Sequence, residues 1–314
     1  MSQKKKISTS PLCLVSALVW GISFPMQEIA SQHSHLLDTF GFTGFRMLIA
    51  SLALIPMVLI FERQADYSKK RVTDTVKYSI IAGVILFSAS VFQQLGIEMT
   101  GESGKAGFIT SLYLIFVPII AFALFRQKPT VLMLVAMPFA VCGLYFLSFS
   151  DGFGAVQSGD LMVLACSLLY ACHIIVLDKS SKCVNPFLFS GLQFFVAGVL
   201  SLSCGFIFGT VTAEGIAKTA LPMIYCGIFS VAIAYTCQLL GQKNGNPTVC
   251  ALFCSMEALF AVIAECIIES HLPTYKMVIG CVLMLTAVVL AQLPDDIFKR
   301  KKAPLQGNNK YPPV

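Results

Sequence analysis

Ten apolar stretches, each about 20 residues long, fill this 314-residue chain and leave only short connections between them. A helix of about 20 residues is what roughly 30 Å of hydrocarbon demands, so the surface of this chain is built for lipid. The stretches run from Pro11 to Ser31, Thr39 to Phe61, Tyr78 to Ile97, Ser103 to Phe125, Thr130 to Phe149, Gly159 to Leu177, Asn185 to Gly209, Ala217 to Leu240, Asn246 to Ile268 and Pro273 to Leu293. With 56% hydrophobic residues against 12% charged, a water-soluble fold is excluded. The first stretch follows Lys4-Lys5-Lys6 but carries Trp20, Gln27 and Glu28 and has no small-residue cleavage site, so it reads as a retained helix rather than a signal peptide.

Orientation is read from Lys and Arg, which accumulate on the cytoplasmic side. If the N-terminus is inside, 18 of the 22 basic residues fall on inner segments: Lys4 to Lys6, five from Arg63 to Lys77, Arg126, Lys128, Lys179, Lys182, Lys243, Lys299 to Lys302 and Lys310. Lys105, Lys218 and Lys276 fall on the outer side. Both termini are therefore expected in the cytoplasm. The same asymmetry accounts for the net charge of +6 without a nucleic-acid partner.

Nearly all of the twelve cysteines lie inside apolar spans, where they behave as small hydrophobes. Cys250 and Cys254 share a helix face, but without a paired CxxC set or a histidine cluster neither a metal site nor a cofactor is expected. His33, His35 and His271 read as loop residues.

The chain echoes itself. Thr43-Gly44-Phe45-Arg46 is answered by Ser190-Gly191-Leu192-Gln193, Gly83 with Gln94-Leu95 by Gly227 with Gln238-Leu239, and Trp20 by Tyr170. The expected fold is therefore an all-α polytopic membrane protein, ten transmembrane helices forming two five-helix repeats. Five is odd, so the second repeat must enter the membrane from the opposite face. The organisation is a leader at 1–10, a first repeat at 11–149, an outer linker at 150–158, a second repeat at 159–293 and a basic tail at 294–314. Inverted repeats suit alternating access, in which a site between the halves opens to each side in turn.

Several strings resemble a known family. Leu18-Val19-Trp20-Gly21-Ile22-Ser23-Phe24, Gly44-Phe45-Arg46, Gly104-Lys105-Ala106-Gly107-Phe108 running to Pro118, Gly159-Asp160-Leu161, Gly227-Ile228-Phe229-Ser230 to Ala234-Tyr235 and Ser255-Met256-Glu257 are similar to the EamA-type branch of the drug/metabolite transporter superfamily. The resemblance implies a ten-helix carrier of small metabolites in a prokaryotic cytoplasmic membrane, often working outward, with amino acids the leading cargo. Ala258 departs from the pattern, standing where the family usually has proline, which puts a helix break there in doubt. Arg126-Gln127-Lys128 stands where many members close the first unit with a Glu, whereas the second unit keeps Glu269.

A rise of 1.5 Å per residue converts position into depth, placing Trp20 about 14 Å, Tyr113 about 15 Å, and Tyr170 and Glu257 about 16 Å into their spans. All four lie near the midplane, where carriers hold their cargo. A carboxyl there must face the bundle or a wet cavity; Glu257 is a candidate for substrate or proton handling, or else a neutral acid tying two helices. Arg46 lies about 10 Å inside the outer end of its span. A gate or helix-tying ion pair with Glu28 or Glu98 is its first reading, recognition of a substrate carboxylate or phosphate the alternative.

His173 either titrates during transport or bonds a neighbouring helix. Gln94, Gln193 and Gln238 either line the pathway or join helices, while Phe24 and Tyr235 shape the cavity or pack against neighbours. Gly21, Gly44, Gly83, Gly191 and Gly227 are expected at close helix approaches. No HExxH, GxSxG or P-loop string is present, so no enzyme is expected. A channel or a non-transporting scaffold on the same fold stays open, as does a homodimer.

Overall fold

The computed structural model describes residues 9–148, 157–243, 245–268, 272 and 274–293. Residues 150–156 of the linker, the basic tail, most of the leader, Glu269 and His271 lie outside the described residues. Among the described residues, eight helical spans are long and apolar enough to cross a membrane, and two shorter apolar helices, Val131–Phe146 and Tyr275–Ala291, occupy the places of the fifth and tenth expected crossings. In chain order the helices are α1 (Thr9–Ser31), α2 (Thr39–Phe61), α3 (Lys69–Thr100), α4 (Ser103–Ser111), α5 (Tyr113–Phe125), α6 (Val131–Ser148), α7 (Ser158–Ser180), α8 (Pro186–Phe208), α9 (Ala213–Lys218), α10 (Ala220–Tyr225), a π-helical segment (Cys226–Tyr235), α11 (Thr236–Gln242), α12 (Pro247–Cys254), α13 (Glu257–Ile268) and α14 (Tyr275–Gln292). Their outer faces carry exposed side chains such as Leu59, Phe206, Leu221 and Val282. Such surface is a liability in water and the normal dress of a helix in lipid.

The windows found the crossings but not their internal structure. The third helix begins at Lys69, a little over two turns before the apolar window opens at Tyr78, because charged residues continue a helix beyond the hydrocarbon without registering in hydropathy. The fourth crossing is α4 plus α5, broken at Leu112. The ninth is α12 plus α13, broken at Ser255 and Met256. Both breaks tighten the chain into i to i+3 bonding, as in Leu112 N to Ile109 O (3.2 Å) and Met256 N to Phe253 O (3.2 Å). The ninth crossing therefore breaks although Ala258 stands where proline is expected.

Packing is reciprocal about an axis in the plane of the membrane. The second crossing packs on the seventh and the fifth on the tenth; the third packs on the sixth as the eighth packs on the first. Polar ties at the two ends give the direction of each repeat. At one end, the turn after α1 meets the turn after α8 through a Leu37–Val211 bridge, and Lys105 meets Asp160 at the start of α7. At the other, Glu62 accepts from the N–H groups of Phe187 and Leu188, which have no intrahelical partner in the first turn of α8, while Arg71 bonds Asn185 and the Val184 carbonyl. Thus α1 finishes at the end from which α7 departs, and the two repeats are inverted.

Close approach depends on missing side chains. A Cβ on Gly83 would lie 2.7 Å from the Gln193 carbonyl oxygen, one on Gly21 2.8 Å from the Glu257 carbonyl, and one on Gly227 2.9 Å from the Arg46 carbonyl. Gly44 fits against Leu202 in the same way, but Gly191 does not: its nearest neighbour is a Leu54 carbon at 3.9 Å. The tight contact on the seventh crossing, α8, is made by Gly198 against Leu48. Gly83→Leu should destabilise the fold by about 1–3 kcal/mol, because backbone cannot yield as a side chain can. A melting temperature equal to wild type in detergent-purified protein would contradict this packing.

Candidate functional site

The paired breaks lie opposite one another and build the centre of the molecule. Tyr113 begins α5 and Glu257 begins α13, equivalent places in the two repeats, and the Tyr113 hydroxyl donates to Glu257 Oε1 at 3.1 Å. Ser111 Oγ donates to the same oxygen at 3.2 Å. Both bonds fall on one carboxyl oxygen, an arrangement open to a carboxylate and equally to the carbonyl oxygen of a protonated acid. The second oxygen is left outside those two bonds.

The eighth crossing supplies a second irregularity. Ten residues from Cys226 to Tyr235 wind as π-helix, a form that recurs at functional sites. Its carbonyls take side-chain donors from the first helix: Trp20 Nε1 donates to Ser230 O at 2.9 Å and Ser16 Oγ to Ala234 O at 2.7 Å. Tyr235 ends the segment and is the hub of an aromatic cluster. Its ring meets Trp20 edge-on at 4.9 Å, His173 at 5.7 Å, Phe194 at 6.0 Å and Tyr170 at 6.5 Å between centroids.

Between these features lies a cavity of about 530 Å³ of atom-free space, counted together with its mouth. Seven crossings wall it. The first gives Trp20, Ser23, Phe24 and Gln27; the second Arg46 and Met47; the third Ser90 and Gln93; the fourth Thr110 and Tyr113. From the second repeat come Tyr170, His173 and Ile174 of the sixth, Ser230, Val231, Tyr235 and Gln238 of the eighth, and Glu257 of the ninth. Trp20, Phe24, Arg46, Tyr113, Tyr170, His173, Tyr235, Gln238 and Glu257 are thus brought together.

Two glutamines expected on the pathway lie off the lining. Gln94 Nε2 donates to Gln27 O, and Gln193 Oε1 bonds His173 Nε2 at 3.0 Å, so both join helices. Sequence reasoning passed over Ser23, Gln27, Ser90, Gln93 and Thr110. The last three form a chain in which Tyr170 OH lies 3.3 Å from Ser90 and from Gln93, and Gln93 reaches Thr110. Small hydroxyls carry little signal in a sequence because they commonly satisfy themselves within their own helix.

The expected ion pair of Arg46 does not form. Glu98 accepts Thr39 Oγ1 at 2.6 Å and Glu28 accepts Ser103 N at 3.2 Å. Arg46 Nη1 instead donates to the neutral Gln27 Oε1 at 2.7 Å, with its guanidinium 5.3 Å from the Phe42 ring centre. The reason is lateral: helix periodicity sets depth, but which neighbour faces Arg46 depends on how helices rotate against one another. Lys105, expected among the outer-side charges that mark topology, is buried in an ion pair with Asp160 at 2.7 Å. Asp160 also closes the capping box at the start of α7.

The cysteines hold a further surprise. Cys13 of the first crossing joins Cys250 and Cys254, the three thiol sulfurs lying within 4.8 Å of one another and all buried. Spacing within one helix had paired only two of them.

The sequence profile described as the EamA-like transporter family matches residues 8–149 and again 157–293. The chain belongs to this family. Similar proteins include an uncharacterized transporter of Archaeoglobus fulgidus, 27% identical over 277 residues, which covers 88% of this chain and 83% of that one. The uncharacterized transporter YvbV of Bacillus subtilis is 21% identical and aligns over 98% of both chains. A solved crystal structure shares the fold at a TM-score of 0.72 with 15% identity, covering 90% of this chain and 96% of its own. This EamA-like protein is a multi-pass membrane protein of a transporter family.

Lys105→Met would strand the Asp160 carboxylate in a buried site, and breaking a buried pair costs about 3–5 kcal/mol. A large drop in thermal stability is expected, partly recovered in the Lys105→Met/Asp160→Asn double variant. Additive losses in the double variant would show that the two groups act independently.

Proposed function

We propose that this EamA-like protein is a secondary-active carrier of small metabolites, working by alternating access about the central cavity and moving amino acids or related compounds outward or in exchange. The observation that carries this reading is a cavity walled by both inverted repeats, at the level where a helix of each repeat is broken. Rocking one repeat against the other then exposes the same residues first to one side and then to the other. Trp20, Tyr170 and Tyr235 offer aromatic faces to the cargo, while Gln238, His173 and Glu257 offer polar contacts. Glu257 serves as the proton-coupling group, since its carboxyl faces the cavity from the broken helix with both hydroxyl partners on a single oxygen. His173, T-stacked on Tyr235, is the second candidate for that role.

Charge distribution supports a bundle with its termini in the cytoplasm. Among the described residues Arg63, Lys69, Lys70, Arg71, Arg126, Lys128, Lys179, Lys182 and Lys243 flank crossings at the Glu62 end, against Lys105, Lys218 and Lys276 at the other. The membrane is then the cytoplasmic membrane of a prokaryote, as for the relatives' hosts.

Proteoliposomes loaded with amino acids and related metabolites provide the test. Saturable, gradient-sensitive release supports the carrier; linear electrodiffusion would indicate a channel, and absence of any flux a scaffold. Glu257→Gln should abolish the response to an imposed pH gradient while leaving exchange of cargo measurable. Undiminished gradient dependence in that variant would remove Glu257 from coupling. On intact cells, in a background without native cysteines, an impermeant maleimide should label Lys218→Cys directly and Lys128→Cys only after permeabilisation; the reverse pattern would overturn the orientation.

A further inference from the structure

We propose that Arg46 is the docking group for a carboxylate on the cargo, so that the transported molecule is a small organic monocarboxylate with an apolar or aromatic body. The inference rests on the central cavity being the transport site. Arg46 is 3% exposed and lines that cavity from the second helix. A guanidinium carries five N–H donors and stays charged at any physiological pH. Here Nη1 has one neutral acceptor, the Gln27 amide oxygen; the Phe42 ring and the Cys226 thiol lie against the group; Nε is buried with no hydrogen-bond partner.

No carboxylate of the described residues neutralises it. The two ion pairs found there are Lys105–Asp160 and Lys218–Glu214, Glu28 and Glu98 are held by Ser103 and Thr39, and Glu257 is held by Ser111 and Tyr113. A cation kept in the bundle with unused donors is expensive and marks a substrate or ion pathway. The missing partner is supplied by an anion that enters the cavity.

The chemistry of the site narrows that anion. A guanidinium fork matches the two oxygens of a carboxylate. Lys105, the other buried cation near this end, is already matched by Asp160, so with Glu257 protonated the lining offers the cargo the single positive charge of Arg46. One charge balances a carboxylate, whereas a phosphate ester of charge about −1.5 to −2 would stay undercompensated. Trp20, Tyr170 and Tyr235 along the rest of the wall suit an organic body rather than an inorganic anion. Amino acids fall within this class.

The experiment uses wild-type protein in proteoliposomes loaded with an equimolar mixture of amino acids, their decarboxylated amines, their carboxamides, 2-oxo acids and sugar phosphates, with release followed by mass spectrometry. The expected result is that every species released carries a carboxylate and outpaces its carboxamide by about tenfold or more, the range of a charge-assisted bond. Arg46→Gln should remove that preference and Arg46→Lys should restore part of it, each checked for a monodisperse elution profile. Release of amines, carboxamides or phosphates at rates equal to the carboxylates would overturn the proposal even if neither variant folds, while leaving the carrier reading intact. Wild-type protein that releases nothing overturns the carrier reading, and this proposal with it.

Discussion

Hydrocarbon offers no hydrogen-bond partner, and the rest of the structure follows from that. Every polar group on ten helices must find its partner inside the protein, so polar side chains converge where helices meet. Trp20 uses a carbonyl of the π-helical segment, Gln94 uses a carbonyl of the first helix, and Glu257 uses two hydroxyls of the fourth. Apolar residues such as Leu59 and Phe206 are driven the other way, to the surface. The central cavity is one place where this inward traffic exceeds what direct pairing consumes: among the described residues, Arg46 Nε and Gln238 Oε1 belong to its lining and are buried without a hydrogen-bond partner.

Inversion adds symmetry, and substitution then removes it where chemistry is needed. The breaks at Leu112 and at Ser255–Met256 are related by the pseudo-twofold, yet one is followed by the phenol of Tyr113 and the other by the carboxyl of Glu257. The third crossing is one continuous helix, whereas its mate, the eighth, contains the ten-residue π segment. A scaffold with two equivalent halves thereby encloses a site with one acid, one guanidinium and one aromatic hub. On the proposed carrier reading, the near-equivalent halves would supply two mirrored conformations and the unequal residues would supply recognition.

How much of this was legible in the chain depends on the direction along which each fact is measured. Depth was readable, because rise per residue is constant; hence Trp20, Tyr113, Tyr170 and Glu257 were placed at one level and do share one cavity. Lateral neighbours were not readable. Arg46 was expected on Glu28 or Glu98 and sits on Gln27; Lys105 was expected among solvated outer charges and is buried on Asp160; Cys13 lies 237 residues from the thiol it touches. The break in the ninth crossing carries no proline signal, since i to i+3 bonding at Ser255 and Met256 achieves the same interruption without one.

The chain alone determined the solvent, the number of crossings and, through their odd count per repeat, the inversion of the two halves. These depend on hydropathy and length, which are sums over neighbours in sequence. Tertiary structure alone decided which faces meet, because helix rotation and tilt are settled by packing at glycines such as Gly83 and Gly227. That packing left Arg46 without an acid beside it and placed Glu257 between two hydroxyls, since a side chain's partners belong to other helices whose approach no local pattern encodes.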